Sequence, residues 1–281
     1  LLAVALLGVV GMAAYTSLVR YWPYNQEMSF DHYIFGLAEA GVLPAYLNSL
    51  KIAALTALFG TPFIFCAAYL LEKVRHTAPW LPATIKVMAT LPMGVPGMVL
   101  GIGYILFFNH DGNPLNGLYH TLAIMVIANI VHYYTACHLT ALTALKSIDR
   151  EFEAVSASLK VPLVVTFCRV TLPLCLPALL EIARYLFINA LTTVSALVFL
   201  YSPETLPASV SILNLDEAGE IGPATAMATL IVLTSGLVSL LHALFAHFFL
   251  KRYQAWRTAV RLSTDKLMYA TDRDPLLLTP G

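Results

Sequence analysis

The sequence predicts an all-α integral membrane protein with six transmembrane helices, and three observations carry that expectation. Of its 281 residues 59% are hydrophobic and 11% are charged, with a mean hydropathy of +0.76; a soluble domain is far less apolar and more charged. Six apolar runs reach the length of about 20 residues that a helix needs to cross a hydrocarbon core about 30 Å thick. Basic residues gather on alternate connecting segments, as the positive-inside rule requires.

The six runs are approximately residues 1–19, 44–71, 85–108, 118–145, 172–200 and 224–250. The segments 72–86, 146–170 and 251–281 hold 13 of the 16 Lys and Arg residues. The alternate segments 21–43, 109–117 and 201–223 carry Glu27, Asp31, Glu39, Asp111, Glu204, Asp216, Glu217 and Glu220 and no Lys or Arg. The acidic segments are therefore expected outside, with both termini and a C-terminal tail, 251–281, in the cytoplasm. The chain begins at Leu1 without a basic n-region before its first apolar run. We read that run as a span inside a longer chain rather than a signal peptide.

The third run contains Leu91-Pro92-Met93-Gly94-Val95-Pro96-Gly97, followed by Gly101 and Gly103. Such breaks survive in a membrane only where neighbouring helices or a cavity satisfy the freed backbone groups. Two readings stand for it: close packing through small residues, or a pore-lining or gating role.

Several function classes lose their support. The formal net charge is zero with no basic stripe, so nucleic acid is not an expected partner. Cys66, Cys137, Cys168 and Cys175 show neither C-x-x-C nor zinc spacing and read as small core residues. No H-e-x-x-H or G-x-S-x-G motif suggests a membrane enzyme, and His242 and His247 are five apart, off a shared helical face. An ion-coupled secondary transporter of inverted repeats could use a broken third span, but no matching segment stands in the other half. No metal site is expected.

The segment between the fourth and fifth runs reads Ser147-Ile-Asp-Arg-Glu-Phe-Glu-Ala-Val-Ser-Ala-Ser-Leu-Lys-Val-Pro162. Asp149 is an N-cap candidate and Pro162 disfavours helix at Val161, which leaves room for a helix of about three turns. Phe152, Val155 and Leu159 recur at helical spacing, while Ala154, Ser156, Ala157 and Ser158 let a partner approach closely. On pattern alone it is either a docking helix or an amphipathic helix lying on the headgroups.

With Phe167, Val170, Thr171-Leu172-Pro173 and Pro177, this run resembles the EAA-loop signature of binding-protein-dependent ABC importer permeases. Glu153-Ala154-Val155 stands at the Glu-Ala-Ala position, Pro162 at the loop proline and Leu172-Pro173 at the Leu-Pro. The family glycine falls at Leu159, a departure, because leucine does not take the positive φ that glycine takes freely. The bend must be absent there or made nearby. The layout resembles the type I (MetI-like) permease domain over essentially the whole chain. Glu151–Lys160, Val170–Pro177 and Thr193–Thr205 look like the branch holding 2-aminoethylphosphonate and ferric-iron permeases, the phosphonate members more so. Members of that branch are often double-length, and this chain is similar to the C-terminal half.

The resemblance implies that Glu153, Ala154, Val155, Ala157, Leu159 and Pro162 couple the permease to a cytoplasmic ATP-binding subunit dimer. ATP and Mg would sit on that ATPase, since no P-loop and no Gly-Lys dipeptide occurs in this chain. It also implies a second permease half and a periplasmic or extracellular solute-binding protein meeting the loop from Tyr201 to Pro223, all in the bacterial cytoplasmic membrane. Polar residues inside spans are candidates for the solute pathway. The fifth run supplies Glu181, Arg184, Asn189, Thr192, Thr193 and Ser195, and such a lining would suit a zwitterionic aminophosphonate. Glu181 and Arg184 are close enough to neutralise one another, and the hydroxyls could equally bond helix to helix. In the fourth run, Asn129, His132, Tyr133 and Tyr134 form another polar group, where a buried, hydrogen-bonded histidine is expected.

Overall fold

The computed structural model describes residues 1–36, 42–74, 81–110, 112–148, 155, 156 and 158–250. Two compact units divide the chain, Leu1–Val238 and Ser239–Gly281. The described part of the second holds the last residues of the final long helix and a π-helical turn, Ala246–Leu250. The principal elements are α1 (Leu2–Ser17), β1 (Val19–Tyr21), β2 (Asn25–Met28), α2 (Val42–Val74), α3 (Leu81–Gly94), α4 (Gly97–Phe108), α5 (Leu122–Lys146), α6 (Leu176–Thr192), α7 (Ala208–Glu217) and α8 (Ile221–Phe245).

Three described helices are long and apolar enough to cross a membrane alone: Val42–Glu72, Leu122–Lys146 and Ile221–Phe248. Two more spans appear if each bent pair counts as one, Ala83–Gly94 with Gly97–Phe108 and Leu163–Leu174 with Leu176–Thr192. The first expected span is a helix of 16 residues, which at 1.5 Å per residue reaches about 24 Å. Six separate spans are therefore not what the described residues show.

The first run gives way to a strand pair absent from the all-α expectation. Strands β1 and β2 pair antiparallel, Val19 opposite Met28 and Tyr21 opposite Asn25. Arg20 pairs with this segment, whose residues 21–43 hold no Lys or Arg. Its Nε donates to Asp31 Oδ2 at 3.1 Å, and Nη1 lies 3.8 Å from Glu27. Trp22 packs edge-on to Tyr15. The His32 imidazole bonds the Val19 carbonyl at 2.9 Å and rests on Gly222 in the first turn of α8, where a larger side chain would displace it.

The core of the first unit forms where α2, α5 and α6 meet. Ile64, Phe65, Ala68 and Tyr69 pack with Cys137, Ala141, Leu145, Ile182 and Leu186. Gly60 permits the closest approach: a Cβ there would lie 2.9 Å from Leu186 Cδ1 and 3.1 Å from Ile130 Cγ1. Toward the other end of α2, Val42, Ala45 and Ala53 pack with Ala190, Leu191, Ala208, Met227 and Ile231. The exposed stripe of α2, including Leu43, Leu47, Leu58, Phe63 and Leu70, is apolar, as lipid or another apolar chain requires.

The fifth run does not continue helically to residue 200. Helix α6 ends at Thr192, and Thr193 is extended, with φ −69° and ψ 130°. Ser209 of α7 donates to the Thr193 carbonyl at 2.6 Å, so the terminus is satisfied from outside the helix. The chain then makes a short 3₁₀ turn, Leu197–Phe199, with Ala196, Leu197 and Leu200 fully buried.

Two outcomes check this packing. Gly60→Val should lower stability in detergent by about 1–3 kcal/mol through overpacking, read from denaturation midpoints. In the hairpin, the Ser29 hydroxyl, then the Arg20 guanidinium, hold the Asp31 carboxyl below its ordinary value. A depressed carboxylate stabilises the folded form above the ordinary pKa, and that stabilisation is lost as pH falls through the lowered one. Trp22 emission should therefore stay constant from about pH 8 to about pH 5 and change only below about pH 4. Asp31→Asn should remove that acid step.

Candidate functional site: a cavity at the broken third span

The corner between α3 and α4 follows from its residues. Pro92 lacks the N–H that would continue the helical ladder, and Pro96 disfavours helix at Val95. Pro96 is extended, with φ −56° and ψ 139°, and the two helices meet at a bend of 105°. The kink expected in this run is a sharp corner.

That corner borders a cavity of about 420 Å³, lined by Pro92–Gly97 together with His132, Tyr133, Thr135 and Ala136 of α5 and Tyr185 of α6. Thr135 fixes α5 against α3 by donating to the Ala89 carbonyl at 2.7 Å. Gly97 admits Ser195 to the corner. A Cβ on Gly97 would collide with the Ser195 hydroxyl, would lie 2.9 Å from Ser195 Cβ, and would lie 3.2 Å from His132 Cε1. Gly101, one turn on, meets Phe199 and the Ala196 carbonyl in the same way. The short turn after α6 is thus seated on α4.

Polar groups converge here in a definite order. The hydroxyls of Tyr133 and Thr193 are hydrogen-bonded, and Thr193 also donates to the Asn189 carbonyl at 2.6 Å. Tyr133 stands edge-on to Tyr185. The His132 Nδ1 is buried without a hydrogen-bond partner among the described residues, contrary to the bonded histidine expected from sequence. Asn129, fully buried one turn away, likewise has both amide atoms unpartnered. No group of three or more His, Cys, Asp or Glu placed to hold a metal occurs among the described residues.

The fifth-run candidates divide. Thr193 and Ser195 belong to this corner. Asn189 donates to the Tyr185 carbonyl in its own helix at 2.8 Å, and Thr192 is exposed and bonds Ile188 at 3.1 Å. Arg184 forms a two-pronged pair with Glu181, so the self-neutralising reading fits both. Tyr185 escaped the sequence reading, and Gly97, noted there as part of the Pro/Gly break, gains from the structure its contact with Ser195.

Of the coupling-loop candidates, Glu153, Ala154 and Ala157 lie outside the described residues. Val155 and Leu159 are exposed, at 57% and 70%, and so is Pro162. The bend that glycine would supply is made one residue later. Lys160 takes φ +55°, and the Val161 N–H reaches back to the Ser156 carbonyl at 3.0 Å, the six-to-one bond of a Schellman turn. The hydroxyls of Ser156 and Thr166 are hydrogen-bonded. Phe167 then packs on Tyr69 and Phe65 of α2, with centroids 4.6 Å and 6.0 Å away, which ties the segment to the helix core.

A helical fold with membrane-length spans, a broken span, a cavity free of charged side chains and a loop packed on the core fits a membrane permease domain. Residues 60–251 match the family described as binding-protein-dependent transport system inner membrane component, and the chain belongs to that family. It is similar to the ferric transport system permease protein FbpB of Actinobacillus pleuropneumoniae, 29% identical over 79% of this chain and 32% of the relative. It is also similar to PhnV of Salmonella paratyphi A, named for 2-aminoethylphosphonate transport, 24% identical over 77% of this chain and 80% of the relative. The chain spans about a third of the length of the FbpB relatives it matches. A bacterial alginate ABC transporter, solved with an alginate-bound periplasmic protein, shares the fold: TM-score 0.69, 18% identity, 84% of this chain and 85% of that one.

Double-mutant analysis tests the corner. Gly97→Ala should cost about 1–3 kcal/mol of stability by overpacking. Ser195→Gly should recover much of that loss, a non-additivity expected only of residues in contact.

Proposed function

We infer that the chain is one permease half of an ATP-driven importer, moving a small solute by alternating access across the cytoplasmic membrane. The observation that carries this is the family match over residues 60–251, which contains both the cavity corner and the EAA-like segment. Energy comes from a separate ATPase dimer holding ATP and Mg, docked against the segment around Glu153, Ala154, Val155, Ala157, Leu159 and Pro162. The turn at Lys160 and the Phe167 contact with α2 supply a path for motion from that segment to the helices. Six spans, with both termini and the tail 251–281 inside, complete the proposed topology, α1 being the first. A second permease half provides the rest of the pathway.

A solute-binding protein approaches from outside. The loop expected to meet it is only partly free: Ala208 and Val210 are fully buried, and Asn48 and Ser49 of α2 bind it through Glu204, Leu206 and Ala208. Its exposed portions are Pro203 and Glu204, and Leu213–Ile221 apart from Leu215, the latter with Asp216, Glu217 and Glu220. We assign the contact to that acidic tip.

For the solute we favour 2-aminoethylphosphonate, supported by the uncharged cavity and by the PhnV relatives. Ferric iron is the second reading, supported by the higher identity to FbpB. ATP hydrolysis by the assembled transporter in liposomes should rise several-fold when binding protein loaded with 2-aminoethylphosphonate is added. Stimulation by the ferric-loaded protein alone would select the second reading, a copurified ATPase stimulated by neither would leave another small anion as the solute, and the absence of any copurifying ATPase would defeat the importer reading. Glu153→Lys or Ala154→Trp should abolish uptake while leaving the protein inserted; normal uptake would remove the docking assignment.

A further inference from the structure

The end of α1 carries an order of side chains that the core of the first unit does not use. Leu1–Ala14 has no polar side chain, and Leu1–Met12 is exposed along its whole length. Tyr15, Thr16 and Ser17 follow. The Thr16 and Ser17 hydroxyls donate back to carbonyls of their own helix, at 3.0 Å and 2.7 Å, as hydroxyls in an apolar medium require. The hairpin of β1 and β2 then brings Tyr21, Trp22 and Tyr24, and after them the carboxylates of Glu27 and Asp31. Apolar, then aromatic with a polar tip, then acidic is the order met on leaving a bilayer, from hydrocarbon through headgroups to water.

The hairpin is folded back against that helix end. Trp22 stands edge-on to Tyr15 with ring centroids 6.2 Å apart, and the Tyr15 hydroxyl donates to Gln26 at 3.4 Å. The Ser17 and Tyr33 hydroxyls are bonded at 2.7 Å, and His32 rests on Gly222, so the hairpin is fixed to the helix core. Its outer surface is nevertheless apolar. Tyr21 and Tyr24 are stacked with centroids 6.0 Å apart and, with Met28 and Phe30, are 65–84% exposed. Arg20, the only Lys or Arg between Leu18 and Gly36, lies against both Glu27 and Asp31.

We propose that the β1–β2 hairpin is an interfacial anchor, its aromatic surface lying in the headgroup layer of a zwitterionic phospholipid leaflet where α1 leaves the membrane. The occupant is lipid rather than a soluble partner because the surface continues directly from the apolar helix, the Thr16 and Ser17 hydroxyls between them being buried. Tyr and Trp rings at that depth turn their apolar bodies to the acyl boundary and their polar tips to the headgroups. The pairing of Arg20 with two carboxylates removes the electrostatic reason to seek an anionic lipid. The inference rests on α1 being a span and goes beyond it, to what holds that span at a fixed depth.

The test uses the assembled transporter in phosphatidylcholine nanodiscs, with Trp80→Phe and Trp256→Phe leaving Trp22 as the reporter. Acyl chains brominated near the headgroup should quench Trp22 about twofold more than chains brominated near the methyl end, and aqueous iodide should quench it weakly. Tyr21→Ser with Tyr24→Ser should cut the lipid quenching about twofold, whereas Tyr24→Phe should retain it. Unchanged quenching in the double serine variant would overturn the part given to the stacked pair. Quenching of Trp22 by iodide and not by lipid would place the hairpin in water, and shielding from both would mean that protein covers it; either result overturns the anchor. Lipid quenching that appears only with anionic phosphatidylglycerol would overturn the neutral headgroup assignment. Leu6→Trp with Trp22→Phe reads α1 independently, since Leu6 is exposed. Iodide quenching there would remove the span on which the inference rests, whereas deep lipid quenching there beside a water-exposed Trp22 would defeat the anchor alone.

Discussion

Backbone polar groups in an apolar medium must find partners or face a cavity, and everything distinctive in this structure follows from where that rule is strained. Pro92 and Pro96 interrupt the third span, so the chain turns through 105° and leaves donors and acceptors without helical partners. Neighbours pack around the corner. Thr135 reaches the Ala89 carbonyl from α5, and the turn after α6 settles on Gly97 and Gly101. What the neighbours do not cover becomes the cavity.

The same logic governs the end of α6. Its last carbonyls lie inside the packed unit rather than at a water surface, so Ser209 of α7 satisfies the Thr193 carbonyl. The first residue of α7 in turn donates to Ser49 of α2, and the segment before it is held by Asn48. The loop from Tyr201 to Pro223 is therefore built largely into the helix packing, with Pro203, Glu204 and the acidic stretch Asp216–Glu220 left exposed. This links the proposed binding-protein surface to the cavity through α6 by contiguous bonds.

Much of this was legible in sequence where periodicity and length agree. The spans of α2, α5 and α8, and the break marked by Pro92, Pro96 and flanking glycines, needed no tertiary information. Hydropathy missed the end of α6 because Val194–Phe199 is as apolar as a spanning helix, whereas the bond from Ser209 that ends the helix comes from 16 residues away. The strand pair around Trp22 is short and polar, below the scale of any span-sized window. At the EAA-like segment the resemblance puts the family glycine at Leu159, with the bend either absent or made nearby, and the structure makes it one residue on, at Lys160. Of the pathway candidates, Thr193 and Ser195 could be separated from Glu181 and Arg184 only by knowing which face of α6 meets α4 and α5.

The central claim is that the third span is a corner bordering a cavity rather than a continuous helix. A distance measurement between spin labels at exposed Val87 and Leu106, in a variant lacking the four native cysteines, tests it directly. A corner of 105° predicts a backbone separation of about 18 Å, whereas a continuous helix at 1.5 Å per residue would place the two sites about 28 Å apart. The shorter distance in the assembled transporter is the result this account requires; the longer one would mean that the corner and the cavity do not exist.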